Sequence, residues 1–402
     1  MNRRGMFDAV VAGGGVVGAA TALMLAREGL QVALVEPKRP APWQRETRDL
    51  RVYAFAPDNA GLLADLGAWQ AVVAARVQPY RGMRVWDAAG GDPLVFDADA
   101  LGQRQLGWIV ENALLVDALW NALPAAGVRL HCPARIDAIE PLEAGVRVRL
   151  DDGLQLEAKL AIAADGAQSA LRDMAGIGTT RHDYGQKGLV GFVASARSHR
   201  DACWQRFLPG GPIALLPFAD DGDEALHGRI GSIVWTLPNA DAERLLAVEA
   251  DVFERELEAA LGGELGAMRL LSARAAFPLQ RQLAETHVQG RVLLLGDAAH
   301  AVHPLAGQGV NLGLRDVTAL RDHVRAAKAR GIDIAAPQRL ARWARTRKSE
   351  NAVNAHAFSA INRIYSNDAL WPTLLRGHAL GVAGKLPPLA RALWRHAAGV
   401  SG

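Results

Sequence analysis

Three groups of residues have the types and spacing to handle a dinucleotide. The first is Gly13-Gly14-Gly15-Val16-Val17-Gly18, a G-x-G-x-x-G pattern. Gly13 allows a tight turn, Gly15 lets backbone approach a pyrophosphate, and Gly18 permits close helix–strand packing. Val16 and Val17 open the helix, whose unpaired N–H groups and partial positive charge suit phosphate oxygens. Glu36 follows about 20 residues on, where a carboxylate accepts hydrogen bonds from both ribose hydroxyls; it would repel the 2′-phosphate of NADP. The second group is Ala164-Asp165-Gly166-Ala167-Gln168-Ser169, followed by Leu171 and Arg172. Alone, Asp165-Gly166 reads equally as a type I′ turn. The third runs Gly296-Asp297-Ala298-Ala299-His300, then His303-Pro304, then Gly307-Gln308-Gly309-Val310-Asn311. Asp297, at the C-terminal edge of a buried strand, is placed to accept from ribityl hydroxyls, and Gly307 and Gly309 let backbone approach a flat ring. N–H groups opening a helix at Val310 face the pyrimidine edge of a flavin, where reduction places negative charge. A nicotinamide dehydrogenase has no need of this third group, so the expected resident cofactor is FAD.

These groups need a sheet that delivers them to one edge. Residues 7–12 read as a buried strand, 16–28 as a helix ended by Gly29, and 31–35 as a second strand. Strand, helix and strand in about 30 residues make a βαβ unit with a parallel pair. A helix is expected over 59–66, a hairpin over 85–96 and a helix over 112–123. Residues 146–150 and 154–158 flank Asp151-Asp152-Gly153 as another hairpin, and 160–164 form a separate buried strand. From 183 to 280 the texture changes to short strands (188–195, 204–218, 228–237) with one helix over 245–261; strand 291–295 and helices follow. The expected fold is α/β: a Rossmann-like FAD-binding domain with an inserted antiparallel-sheet substrate domain and C-terminal helices. The FAD-binding domain takes residues 1–75, 100–182 and 281–335. The substrate-binding sheet takes 76–99 and 183–280, and the C-terminal helical region takes 336–402.

Composition removes several classes. Half of the 402 residues are hydrophobic and 22% are charged, as in soluble globular proteins. A formal charge of +3 argues against a nucleic-acid binder, which concentrates basic surface. Cys132 and Cys203 have no metal-ligand spacing, so neither a metal site nor a disulfide framework is expected and a reducing cytoplasm fits. The 18 uncharged residues 9–26 follow Arg3 and Arg4 and have the length of a membrane span. Gly13 to Gly15 interrupt them, and Asp8 precedes them. Strand, turn and helix is therefore the expected reading, in a soluble or peripheral protein.

The three motifs, in this order and at these separations, resemble the class A flavoprotein monooxygenases, the group that includes p-hydroxybenzoate hydroxylase. Within it, the stretch from His303-Pro304-Leu305-Ala306-Gly307 to Leu314-Arg315-Asp316 is similar to the ubiquinone-biosynthesis hydroxylases. So are Phe277-Pro278-Leu279, Gln205-Arg206-Phe207-Leu208-Pro209 and Leu215-Leu216-Pro217. The resemblance spans residues 5–400. It implies that Glu36 binds the AMP ribose, Arg51 the pyrophosphate side of FAD, and Asp165 both FAD and a transient NAD(P)H. It also implies that Asp297 binds the ribityl chain and that residues 304–311 line the isoalloxazine. Phe55-Ala56-Pro57-Asp58-Asn59 departs from the family's short apolar stretch with a serine, so no role transfers there.

The reaction implied is hydroxylation of an electron-rich, polyprenylated aromatic ring in ubiquinone biosynthesis, with NAD(P)H as reductant and O₂ as oxidant. Two alternatives stand beside it: a flavin-bearing accessory subunit of a quinone-making assembly, or a class A hydroxylase of another small aromatic. Flavin halogenation lacks its tryptophan signature. Because the histidine side chain can exchange protons near neutral pH, His300 and His303 are candidate acid–base groups, but bracing the flavin loop is the favoured role. No catalytic residue is assigned beyond the loop candidates His303 and Pro304. Leu189, Val190, Phe192, Ile213, Leu215, Leu216 and Phe218 would give a long chain an apolar sheet face, or form ordinary core. From Arg339 to Gly402 ten Lys or Arg face two acids, interleaved with Leu370, Trp371, Leu374 and Trp394. Such a tail could dock on a partner or on the inner face of the membrane; packing on the FAD domain is the equal alternative.

Overall fold

The computed structural model describes residues 5–220, 222–301 and 308–365, with the helical backbone alone for 308 and 352–365. His303, Pro304, Gly307 and the tail from 366 onward therefore lie outside the described residues.

The first sheet is built around Phe7–Ala12, which pairs in parallel with Val32–Val35 on one side and Gln155–Ala163 on the other. Arg129–His131 and Val292–Leu294 extend it in parallel at the two flanks. Both faces are covered, which explains the unbroken apolar runs. Ala9, Val11, Leu34, Ile162 and Leu293 pack beneath the helices Val16–Arg27, Asn112–Ala122 and Gln308–Lys328. Val10, Ala12, Ala33, Ala161 and Leu294 face the antiparallel strands Ile136–Leu142 and Gly145–Leu150 instead.

Gln155–Ala163 is one strand with three partners, where the sequence suggests two strands. Its first half closes the hairpin across Asp151-Asp152-Gly153, and its second half joins the parallel core. A ladder continues wherever a neighbour's backbone is in reach, so no turn residue marks the change.

A nine-stranded sheet forms the second layer, built on Thr179–Ser195, Ala275–Ala284, Ile230–Pro238, Gly211–Pro217 and Ala202–Leu208. The hairpin of Gly82–Asp87 and Leu94–Asp97 joins its far side through a parallel pair with Ala202–Leu208. Two helices, Asn239–Ala247 and Ala250–Ala260, cover one face; the sequence suggests one helix there, but Val248 is extended and breaks it. The expected domain limits at 182/183 and 280/281 fall inside continuous strands. Gln78–Tyr80 also pairs with Gly107–Glu111 and Val52–Phe55 in a separate three-stranded sheet, not with the large one.

Strand alternation splits the apolar face proposed for a long chain. Leu189, Ile213 and Leu215 point to the two helices, whereas Phe192, Leu216 and Phe218 point to the three-stranded sheet. All six are buried core; Val190 alone of the seven keeps partial exposure. Among the described residues no helix is long and apolar enough to cross a membrane, and no His, Cys, Asp or Glu cluster could hold a metal.

Candidate functional site

Register brings the motifs together. Ala12 stands opposite both Val35 and Ala163, and Ala163 stands opposite Leu294. The chain therefore leaves four parallel-sheet positions at one edge, into Gly13, Glu36, Ala164-Asp165 and Leu295-Gly296-Asp297. This C-terminal edge of a parallel sheet is where such folds bind ligands.

The glycine turn is shaped by contact. Gly13 has φ +97°, and a Cβ there would lie 2.4 Å from the Ala164 carbonyl oxygen. A Cβ on Gly18 would lie 1.9 Å from the Gly13 carbonyl oxygen, and one on Gly14 would lie 2.5 Å from the Trp120 ring. Gly15 differs: a Cβ would meet nothing within 4 Å, so this residue faces open space. It is also the N-cap of Val16–Arg27, which has no side-chain cap and no acid in its first turn. The helix end is thus left to an anion.

Trp120 was not singled out by its sequence, yet its Nε1 donates to the Gly14 carbonyl (2.7 Å, buried). Gly14 N–H donates to Glu36 Oε2 (2.6 Å), and Lys38 N–H to Glu36 Oε1 (3.2 Å). Each carboxylate oxygen keeps a further lone pair for a ribose hydroxyl.

Val17 lies differently from the expectation that it touches cofactor. Its side chain is the spacer between the first and third motifs: a Cβ on Gly313 would lie 2.6 Å from Val17 Cγ2, and one on Gly296 3.2 Å from both methyls. At Val17 the backbone at the helix start is what remains for a phosphate.

In the second motif, Asp165 Oδ2 accepts from Leu171 N–H (3.2 Å), while Oδ1 is buried with no hydrogen-bond partner among the described residues. Gly166 has φ +87°, a conformation glycine adopts without strain. Arg172 is fully buried, and its guanidinium donates to the carbonyls of Ala167 (2.9 Å) and Ala298 (3.3 Å). Gln282 donates to Ala167 as well (2.7 Å). Arg172 thereby ties the second motif to the third, a role that a lone arginine after a strand does not announce.

Asp297 accepts no hydrogen bond among the described residues and retains accessible surface. Protein nevertheless crowds it: burial raises its carboxyl pKa against the pull of His300 and Arg51. Both hold for a residue at the floor of a cleft. Arg51 is exposed, and its charge acts on Asp297 and Tyr53, which places it toward the third motif.

Asn311 is buried, and its side-chain oxygen and one of its two amide N–H groups are engaged within the protein. It accepts from Ala56 N–H (3.0 Å) and Asn59 Nδ2 (2.9 Å), and donates to the Ala54 carbonyl (2.8 Å). The side-chain oxygen is taken up by the protein, so lining by Asn311 falls to its backbone and its second amide N–H. The departure at positions 55–59 belongs to the same contact: Asn59 meets Asn311, and Asp58 accepts from Arg315 Nε (2.7 Å).

His300 is fully buried, and its Nε2 lies 2.6 Å from Asp316 Oδ2. Burial alone would raise the Asp316 carboxyl, but His300 and then Arg347 hold it well below the usual range. The carboxylate therefore accepts and the imidazole N–H donates. His300 braces the segment from Asp316. Its neighbour His287, with ring centroids 6.0 Å apart, is pushed down to about 4 by burial.

These residues fit an FAD. An uncapped helix end, an outward Gly15, a buried unpartnered Asp165 oxygen and an unengaged Asp297 lie along one sheet edge. The fold and this edge define a class A flavoprotein monooxygenase, and residues 6–349 match the FAD binding domain family. Within that class, the chain belongs with the ubiquinone-biosynthesis hydroxylases. It is 37% identical to "Ubiquinone hydroxylase UbiL" of Rhodospirillum rubrum, over 98% of this chain and 89% of that protein. It is 36% identical to the Escherichia coli "3-demethoxyubiquinol 3-hydroxylase", over 98% of both. It is 32% identical to human "Ubiquinone biosynthesis monooxygenase COQ6, mitochondrial", over 96% of this chain and 91% of that one. The fold matches that of p-nitrophenol 4-monooxygenase PnpA from Pseudomonas putida, with a TM-score of 0.76 at 18% identity over 97% of each chain. The chain is a flavoprotein hydroxylase that uses FAD, with NAD(P)H as the reductant of its class.

Proposed function

We propose that this chain hydroxylates the ring of a polyprenylated phenol or benzoquinol on the route to ubiquinone. The observation that carries the reading is the register of the parallel sheet, which sets Gly13, Glu36, Asp165 and Asp297 along one edge. The relatives' names supply the substrate class. Bound FAD, once reduced by NAD(P)H, supplies the activation of O₂.

The chain's own residues do the rest. The helix end at Gly15 and Val16 holds pyrophosphate, with Arg51 adding positive charge from across the cleft. Glu36 holds the AMP ribose, Asp165 offers its free oxygen to FAD and to the transient nicotinamide nucleotide, and Asp297 holds the ribityl hydroxyls. Backbone from Gly309 to Asn311 lines the flavin ring, and His303, Pro304 and Gly307 are assigned to the same lining. The large sheet and the three-stranded sheet exclude water, which would otherwise divert the activated oxygen to peroxide.

A deletion strain tests this directly. It is expected to accumulate a ubiquinone precursor lacking one ring hydroxyl, and purified protein should convert that precursor with NAD(P)H and O₂. Bleaching by NAD(P)H followed by reoxidation to peroxide alone, with the precursor present and untouched, would sink the reading.

The basic C-terminal region is assigned a peripheral contact with an anionic membrane face. Arg342 and Arg345, on the helix Pro337–Tyr365, are exposed. Full-length protein is expected to sediment with anionic vesicles at low salt and to be released at high salt. Equal recovery with neutral vesicles would remove the assignment.

A further inference from the structure

The helix Pro337–Tyr365 follows the flavin segment and touches none of the three motifs by sequence, yet one of its side chains reaches the segment through a single carboxylate. Asp316, on the helix Gln308–Lys328, is 1% exposed and divides its two oxygens between two sets of donors. Oδ2 accepts from Gly296 N–H (3.0 Å) and His300 Nε2 (2.6 Å). Oδ1 accepts from Arg347 Nε (2.8 Å) and Asn351 Nδ2 (3.2 Å). Arg347 is itself 5% exposed, donates to Asn351 Oδ1 (3.0 Å) and pairs with Glu350.

We propose that Arg347 is a positioning residue for the flavin: through Asp316 it fixes the Gly296–His300 turn and so sets how tightly, and in what environment, FAD is held. This rests on assigning residues 296–311 to the flavin side of the site. Gly296 has φ +56°, and its N–H is anchored to Asp316, so the carboxylate's orientation decides where Asp297 points. A buried carboxylate deprived of one cation reorients toward those that remain or takes up a proton. Either change loosens the grip on Gly296 or His300. Arg347 acts at one remove, because nothing in its hydrogen bonding reaches the edge directly.

Arg347→Met is expected to weaken FAD binding, measured by fluorescence quenching of added FAD, by about 5- to 150-fold, the range of a typical coupling free energy. It should also shift the long-wavelength absorption band of the FAD it still binds. Arg347→Lys keeps one donor and is expected to restore part of the affinity. Arg342→Met, exposed on the same helix, should leave both readouts at the parental values. Parental FAD affinity and spectrum in Arg347→Met, with only a lower melting temperature, would overturn the proposal. If Arg347→Met does not fold, Arg347→Lys and Asn351→Ala decide it: unchanged FAD affinity and spectrum in both overturns it, weakening in either supports it. These readouts need no substrate, so a wrong substrate assignment would leave their outcome intact.

Discussion

Gly18→Ala is expected to yield protein that is colourless on purification and that free FAD does not stabilise. The added methyl carbon would stand 1.9 Å from the Gly13 carbonyl oxygen and 2.9 Å from its carbon. Both are backbone atoms, so no rotamer change relieves the clash. Gly13 has little room to retreat, since even a Cβ built on it would lie 2.4 Å from the Ala164 carbonyl oxygen at the start of the second motif. The helix must slide or the turn must open, and either moves the N–H groups proposed to hold pyrophosphate. Overpacking in a close-packed core costs about 1–3 kcal/mol or more. FAD at about 100 times its Kd stabilises a competent protein by about 2.7 kcal/mol. A thermal melt with and without FAD therefore separates the variant from the parent. Gly15→Ala is the contrast: its methyl meets no protein atom within 4 Å, so it should fold normally and lose FAD only through crowding the phosphates. A Gly18→Ala protein with parental flavin content would show that the turn is not the cofactor's.

The edge that this argument relies on was readable in the sequence because its cues are local. A glycine turn, a strand and an acid at fixed separations follow from the geometry of one βαβ unit, and Phe7–Ala12, Val16–Arg27 and Val32–Val35 form as that unit requires. Asp165 and Asp297 were legible for a related reason: each ends a short apolar run, and a parallel sheet puts all such ends on one side.

What escaped was set by partners far along the chain. Trp120 reaches Gly14 across 106 residues and Asn59 reaches Asn311 across 252. Asn311 illustrates the difficulty, because its type suits a flavin amide as well as a protein amide, and only the position of Asn59 decides. Whether the apolar strands offer a long chain a face or form ordinary core is decided only by the layers packed on each side, since a run of apolar residues does not say which face meets core. Strand limits blurred where one long strand changes partners along its length, as in Gln155–Ala163 and in Thr179–Ser195.

Glu111 is the other residue that no motif flags, and removing it should have the second large effect. Glu111 is 1% exposed and takes a two-pronged contact from Arg76 (Nε–Oε2 2.9 Å, Nη2–Oε1 2.9 Å). It also accepts from Asp49 N–H (2.8 Å) and Trp43 Nε1 (3.3 Å), while Arg76 donates to the Arg45 carbonyl (2.8 Å). Asp49 in turn accepts from Arg51 N–H (2.9 Å) and Ala113 N–H (2.9 Å). One buried pair thus holds the loop that presents Arg51. Glu111→Ala removes the carboxylate from a buried ion pair, a loss of about 3–5 kcal/mol, read as a lower urea midpoint. Replacing both residues by methionine removes both buried charges, and apolar replacements of buried pairs are often neutral or stabilising. The double variant is therefore expected to regain much of its stability. It should not regain FAD affinity, because the Asp49 N–H bond to Glu111 and the Arg45 carbonyl bond to Arg76 are both gone. Recovery of both together would mean that the pair serves stability alone and that Arg51 needs no scaffold from it.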